Sequence, residues 1–368
     1  MNTGMPIGEL AKEITRQRDA KRDFLAPTRK VAVGVVEREG RPTPVLAMDL
    51  INQGVATFNI GDVAHGQIAE KAGIPARYYT RLKDEAPRLL AQNVNHWFQQ
   101  APDDEKRLIR VLDNRARALL SDRYRPLDNA DLAEAAIPVL SDQHAEIVAS
   151  AVTEKHMYLK AVDPKLKGYI TRQGHGFRQF GEDEIVWGVA ITNSEVGLGR
   201  VSVSTFYVRS VCTNGAIVEQ VLGKFHLGGK LGAGGDDGER FFSSEARAAD
   251  DRAFFLSFRD VVKGALSEAV MKRTLDKINQ ATGRGITGSV EKAVEVTART
   301  LSLTEDEKSG VLRHLIEGAD LSAWGLSNAV TRTAGDVKDF DRATELEAMG
   351  HRVVELGPAD WREIAEAA

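Results

Sequence analysis

The sequence predicts an α+β fold, built on three antiparallel strands that are followed by one long helix. Two segments, residues 184–192 and 201–212, are rich in Val, Ile, Phe and Tyr and are typical strands. Residues 244–281 instead repeat their apolar side chains at the helical period of 3.6. A run of strands followed by helices is typical of α+β proteins, whereas a parallel sheet requires the two to alternate.

The N-terminal region, residues 1–105, is predicted to combine a hairpin with helices. Apolar residues recur at helical spacing over residues 7–24, which indicates a first helix. Alternation over 30–37 and an apolar run over 45–51, with a turn between them, predict a hairpin. Residues 62–100 are predicted to be helical in three pieces, because Gly and Pro interrupt them.

The central region, residues 106–283, is predicted to hold the antiparallel core. Asp113 and Asn114 form a two-residue turn of the hairpin type between two short strands. A third core strand is expected at 216–226, before the long helix at 244–281. The other elements predicted here are a short helix at 129–140 and a hairpin of residues 147–153 and 157–162.

The C-terminal region, residues 289–368, is predicted to be a separate helical domain of about five short helices. The glycines between Gly283 and Gly288 interrupt the preceding helix, which places a domain boundary near Gly283.

Composition limits the function classes. The 368 residues carry a formal net charge of −4, so nucleic-acid affinity would have to come from local clusters of Lys and Arg. A single cysteine, Cys212, fits a reducing compartment, and neither a signal-type run nor a 20-residue apolar span is present. We therefore expect a cytoplasmic protein without a membrane partner. Cys212 and His226 could supply at most two ligands, so we expect no metal, and no motif indicates a cofactor.

A basic stretch at residues 106–125 is the most informative feature, with seven Lys and Arg against two Asp. Arginine binds phosphate and an aromatic ring stacks on a base, so this composition suits single-stranded nucleic acid. The same spacing equally fits a solvated hairpin whose arginines pair with Asp122 and Asp128. The predicted contact residues are Arg107, Arg110, Arg115, Arg117, Arg123, Tyr124 and Arg125.

Residues 62–83 resemble a helix-turn-helix, because Ala69 and Gly73 would let two helices pack closely. The second helix would then present Arg77, Tyr78 and Arg81. Tyr79 is bulkier than the branched residue that such motifs usually bury, and paired helices are common without DNA.

A polar cluster is predicted where the strongest strands end. Its candidate members are Asn193, Glu195, Arg209, Asn214 and His226. These residues could serve an enzyme acting on nucleotides or nucleic acid if they converge in one pocket. Turn chemistry together with a buried Arg209–Glu195 pair accounts for them more simply.

Four motifs together resemble the domain-of-unknown-function 932 family, also called the phage/plasmid-like protein family. The motifs are LSDRYRPLDN (120–129), NSEVGLG (193–199), YVRSVCTNG (207–215) and WGLSNAVTR (324–332), and GIPARYYTRL and NVNHWF also fit. The resemblance spans most of the chain. It implies a gene of phages, plasmids and other mobile elements, and it brings no established activity or catalytic residue.

The expected element order is also similar to the core of single-strand annealing proteins. The leading hypothesis is accordingly a single-stranded DNA-binding protein of a mobile genetic element, acting in annealing or recombination as a homo-oligomer. The alternatives are the nucleic-acid-processing enzyme described above and an interaction protein that counters host defence. Fold-level analogy does not by itself decide among them.

Overall fold

Two sheets with helices packed against them organise the chain, which confirms the predicted α+β class. The computed structural model describes residues 1–50, 54–171, 182–210, 214–224 and 244–368. The positions of Cys212 and His226 lie outside these residues.

The first sheet has six strands in the order β1–β5–β6–β4–β3–β2. They are β1 (Arg22–Pro27), β2 (Val31–Arg38), β3 (Arg41–Leu50), β4 (Gly54–Ile60), β5 (Lys106–Leu112) and β6 (Arg115–Ser121). Only β4 and β6 are parallel neighbours. Asp113 and Asn114 join β5 to β6 with φ angles of 49° and 62°, which confirms the two-residue turn.

Three helices cover one face of this sheet: α2 (Asp62–Lys71), α3 (Ala76–Glu85) and α4 (Pro87–Gln99). Gly73 turns the chain between α2 and α3 with φ of 65°. Asn95 of α4 holds the edge strand β2, since its Oδ1 accepts from Val33 N at 2.7 Å and its Nδ2 donates to Val33 O at 2.9 Å. The three predicted helical pieces are therefore confirmed.

The second sheet has five antiparallel strands in the order β11–β10–β9–β8–β7. They are β7 (Glu146–Val152), β8 (Met157–Thr171), β9 (Glu182–Asn193), β10 (Val201–Arg209) and β11 (Gly215–Lys224). Its core is shared with α1 (Ile7–Ala20), α5 (Asn129–Asp142) and α6 (Ser244–Ala265). The predicted order of three strands followed by a helix is confirmed by β9, β10, β11 and α6.

Six further helices complete the chain. They are α7 (Glu268–Thr282), α8 (Val290–Leu301), α9 (Glu305–Gly318), α10 (Ala323–Thr333), α11 (Phe340–Glu355) and α12 (Pro358–Ala365). Their buried side chains form one core with Trp187 and Tyr207 of the second sheet. Lys160 of β8 also makes a buried ion pair with Glu347 of α11 at 2.5 Å. The region beyond Gly283 thus shares its core with the central sheet rather than burying its own.

Three expectations about the elements need correction. The first helix ends at Ala20, because residues 22–27 pair with β5 as an additional strand. The hairpin of β5 and β6 belongs to the first sheet, so that sheet extends beyond the predicted boundary at 105. The long helix is divided at Ser267, where the indole of Trp187 donates to the Ala265 carbonyl at 2.9 Å, an acceptor that a continuous helix would use itself.

Among the described residues, no helix is both long and apolar enough to span a bilayer.

Candidate functional site

Two arginines of the β5–β6 hairpin, Arg110 and Arg117, contact the buried residue Glu195. Arg117 donates to Glu195 Oε2 at 3.0 Å, and Arg110 donates to the Glu195 carbonyl at 3.0 Å. The amide of Asn129 at the start of α5 donates to Glu195 Oε1 at 2.8 Å. Burial would raise the pKa of Glu195, but Arg117 and Arg110 outweigh burial and hold this pKa below its ordinary value.

Arg110 is the centre of this network. It is 3% exposed, and besides Glu195 it pairs with Asp128 at 2.6 Å and Asp23 at 3.1 Å. Lys21 pairs with the other oxygen of Asp128. These charges join the first sheet to the loop after β9, and buried charges of this kind require such partners.

Tyr124 and Asn193 add further hydrogen bonds to this polar network. Tyr124 is 9% exposed and donates its hydroxyl to the Ser194 carbonyl at 2.9 Å. Asn193 Nδ2 donates to Leu127 O at 2.9 Å and to Asn129 Oδ1 at 2.8 Å. The basic stretch and part of the polar cluster, which were predicted as separate sites, are therefore one buried polar connection.

The remaining predicted contact residues face different parts of the molecule. Arg107 pairs with Glu105 at 3.1 Å. Arg115 pairs with Glu154, and Arg125 pairs with Asp250 at 2.6 Å and with Asp251. Arg123 is exposed.

The predicted contact residues do not line one surface. Arg110 and Tyr124 are too buried to touch a nucleic acid in this fold, and Arg117 is held against Glu195. The expected partner Asp128 does pair with Arg110, as the solvated-hairpin alternative proposed, although the pair is not solvated.

The polar cluster does not converge. Asn193 lies at the C-terminal end of β9, whereas Arg209 pairs with Asp183 near the other end of that strand at 2.5 Å. Asn214 donates to Asn328 at 3.2 Å and to Thr331 at 2.6 Å, both on α10. The predicted Arg209–Glu195 pair is wrong, because each of the two has another partner. The enzyme hypothesis required one pocket, and the described members do not share one.

The outer surface of α3 carries the residues that the helix-turn-helix resemblance singled out. Arg77, Tyr78 and Arg81 are all exposed. Tyr79 turns inward instead, where its hydroxyl lies 2.9 Å from His65 Nδ1. Burial, aided by Lys83, lowers the pKa of His65 to about 4, so this histidine is neutral near pH 7.

The outer surface of α4 adds an aromatic ring that sequence reasoning missed. Trp97 is 51% exposed and donates its indole N–H to Asn93 at 3.1 Å. Arg88 and His96 are also exposed on this helix. The helical period does not reveal Trp97, because residue 97 follows Leu90 by seven residues and Val94 by three, which places it at the edge of the buried stripe.

A cleft of about 450 Å³ opens between the first sheet and the turn that joins β7 to β8. Two hairpin residues, Arg115 and Arg117, line it together with Asn59 of β4 and the first turn of α2. Its volume is within the range of small-molecule sites.

No group of three or more His, Cys, Asp and Glu side chains in the described residues is placed to hold a metal ion.

Comparison with known proteins finds no relative of this chain. No family model matches the chain, and no curated protein or solved structure matches it either. The family resemblance therefore stays a prediction carried by its motifs.

Proposed function

We propose that this protein binds single-stranded nucleic acid through the outer surface of α3 and α4. We use the name α3–α4 face for the exposed side chains Arg77, Tyr78, Arg81, Arg88 and Trp97 of these two contacting helices, of which Arg88 and Trp97 lie on opposite sides of α4. The observation that carries the proposal is that exposed aromatic rings and exposed arginines occur together on these two adjacent helices. The family resemblance favours DNA as the natural form.

The chemistry of the α3–α4 face matches that of a single strand. Unpaired bases expose flat rings, and stacking one base on an aromatic side chain contributes about 1–3 kcal/mol. Tyr78 and Trp97 have 46% and 51% of their surface exposed and therefore available for stacking. A duplex keeps its bases stacked on one another, so the face should favour single strands.

The arginines of the face are available to phosphates. Within the described part of the chain, Arg77 makes no ion pair. Arg81 pairs with Glu85 at 2.9 Å and Arg88 approaches Glu37 at 3.5 Å, and all four side chains are at least 60% exposed. Exposed ion pairs contribute little free energy, so phosphates can compete with these carboxylates for the arginines.

The hairpin is a weaker candidate, because the fold has already supplied carboxylates to most of its arginines. Arg123 and Arg115 are its more exposed members, and Arg115 lines the cleft rather than the α3–α4 face.

Strand annealing, homo-oligomerisation, a mobile-element origin and a cytoplasmic location are further parts of this proposal. They rest on the resemblance and on cysteine usage alone. Sedimentation of the free protein and of its complex with a single strand would measure the oligomeric state.

Fluorescence anisotropy with labelled oligothymidine tests the proposal. We expect Arg77→Ala/Arg81→Ala and Trp97→Ala each to weaken binding about tenfold, since each removes phosphate or stacking contacts. The matched control is Arg123→Ala/Arg125→Ala, which removes the same charge from the hairpin side. The proposal is wrong if the control weakens binding as much as the α3 pair, or if the wild-type protein does not bind the strand.

A further inference from the structure

The cleft beside β6 has a chemistry of its own. Its wall combines two cationic side chains with amide and hydroxyl groups and three carboxylates. The residues that decide its chemistry are Asn59, Gly61, Asp62, Asp113, Arg115 and Glu154.

Arg115 is the cation best placed to bind a ligand there. Its side chain is 40% exposed, and its Nε lies 3.1 Å from the position that a Cβ on Gly61 would occupy. A side chain at residue 61 would therefore crowd the guanidinium where it lies against the first turn of α2. Gly61 also provides no side chain to cap this helix, so the positive end of α2 adds to the attraction that Arg115 exerts on an anion.

Asn59 adds an independent requirement. Asn59 is one of the residues that line the cleft, and its Oδ1 is buried without a hydrogen-bond partner in the described structure. Buried polar atoms are normally paired, and this oxygen can only accept a hydrogen bond. A simple anion offers no donor to it, whereas a base amino group or a sugar hydroxyl does.

The three carboxylates of the cleft either compete with an anionic ligand for the arginines or repel it. Asp113 is already paired with Arg16 at 2.7 Å. Glu154 occupies Arg115, but the pair is exposed on both sides, so it is weak and can be displaced. Asp62 carries the remaining negative charge and opposes an anion, which favours a ligand with one phosphate over a polyphosphate.

We propose that this cleft binds a 5′-phosphorylated nucleotide. The phosphate displaces Glu154 from Arg115 at the first turn of α2. The Asn59 amide turns toward the cleft, so that its oxygen accepts a hydrogen bond from a base or sugar donor. A volume of about 450 Å³ is sufficient for one nucleotide. No bond is made or broken in this event.

Calorimetry with deoxyadenosine 5′-monophosphate at low salt measures the binding. We expect Arg115→Gln to weaken it at least about tenfold, because a charged hydrogen bond is lost. We expect Glu154→Gln to strengthen it a few-fold, since Arg115 is then released. A gain in affinity cannot arise from misfolding, so this pair of variants separates a ligand role from a structural one.

Three results would overturn the proposal. They are an absence of binding by both the wild type and Glu154→Gln, equal binding by Arg115→Gln and wild type, and equal binding of unphosphorylated deoxyadenosine.

The same chemistry could come from a free nucleotide or from the end of a DNA strand. Comparing oligothymidine with and without a 5′-phosphate distinguishes these sources. A preference for the phosphorylated end, lost in Arg115→Gln, assigns the cleft to strand ends, and binding of the mononucleotide without that preference assigns it to free nucleotides. The mononucleotide experiment is independent of the α3–α4 face, because Arg77→Ala/Arg81→Ala should leave it unchanged.

Discussion

The β5–β6 hairpin and the α3–α4 face are both rich in arginine, yet the fold uses the two regions differently. Arg110 of the hairpin is 3% exposed and contacts Asp23, Asp128 and Glu195. Arg81 on α3 has a side chain that is 70% exposed and pairs with Glu85, one helical turn away. Sequence charge fitted a binding surface and a solvated hairpin equally well, whereas solvent exposure favours the helices as the binding surface.

The difference shows that the partners of an arginine decide its role. Hairpin arginines are neutralised by carboxylates that lie far away in the chain, such as Glu195 and Asp250. A buried charge in this setting is costly to leave unpaired, so its contribution is structural. An exposed pair between neighbouring helical residues contributes a few tenths of a kcal/mol and can be replaced by a phosphate.

The largest expected effect comes from removing the carboxylate at the centre of the hairpin network. Glu195→Gln removes the carboxylate that pairs with Arg117, whereas Arg110 keeps Asp23 and Asp128. Because Arg117 is then left without its counter-charge, we expect the free energy of unfolding to fall by about 3–5 kcal/mol. Urea denaturation followed by circular dichroism measures it. A loss below about 1 kcal/mol, the range of surface pairs, would show that the hairpin arginines are not structural and would restore them as binding candidates.

The local elements of both regions could be predicted, because their information is local. Asp113 and Asn114 adopt the positive φ angles that a tight hairpin turn requires, and the period of α4 is visible in its sequence. The three central strands were also evident from their β-branched and aromatic residues. Element type depends on neighbouring residues, so sequence spacing carries it.

The site could not be predicted as well, because its contacts are distant in sequence. Nothing near Arg117 indicates that Glu195, 78 residues away, will pair with it. The strand at residues 22–27 was missed for the same reason, since its only partner is β5. The division of the long helix at Ser267 depends on Trp187 in another element. Sequence charge therefore indicated where arginines cluster, but it did not reveal which of them the fold neutralises.

His65 connects the two regions, because it contacts Tyr79 of α3 while Arg115 of the hairpin helps to keep it neutral. Its pKa is lowered from 6.5 to about 4, mainly by burial. As the pH falls below 6.5, His65 becomes protonated in the unfolded chain, whereas in the folded protein it stays neutral until the pH approaches 4. Stability should therefore decline by about 2–3 kcal/mol between pH 6.5 and pH 4 relative to His65→Gln.

Unfolding free energies of the wild type and His65→Gln, measured across that interval, test this prediction. Because other groups titrate in both proteins, only the difference between the two profiles counts. Parallel profiles would mean that His65 is as accessible to protons in the folded protein as in the unfolded chain.

The salt dependence of strand binding shows which of the two regions contacts the phosphates. Each phosphate that a cation neutralises adds about 0.7 to the slope of log affinity against log salt for single strands. We expect Arg77→Ala/Arg88→Ala to reduce the slope by about 1.4 and Arg123→Ala/Arg125→Ala to leave it unchanged. Titrations of labelled oligothymidine at several salt concentrations provide both slopes, and the reverse ranking would assign the strand to the hairpin side.

The smallest expected effect is on α3, where Glu85→Gln removes the exposed partner of Arg81. Because an i,i+4 pair on a solvated helix is worth about 0.3–0.5 kcal/mol, we expect the free energy of unfolding to change by no more than that. The affinity for a single strand should instead rise a few-fold, since Arg81 no longer has a competing carboxylate. A matched loss of stability and affinity would indicate that Glu85 orders α3 and that Arg81 acts through helix structure. If the free energy of unfolding falls slightly while the affinity for the strand rises, the Arg81 guanidinium itself contacts the phosphate.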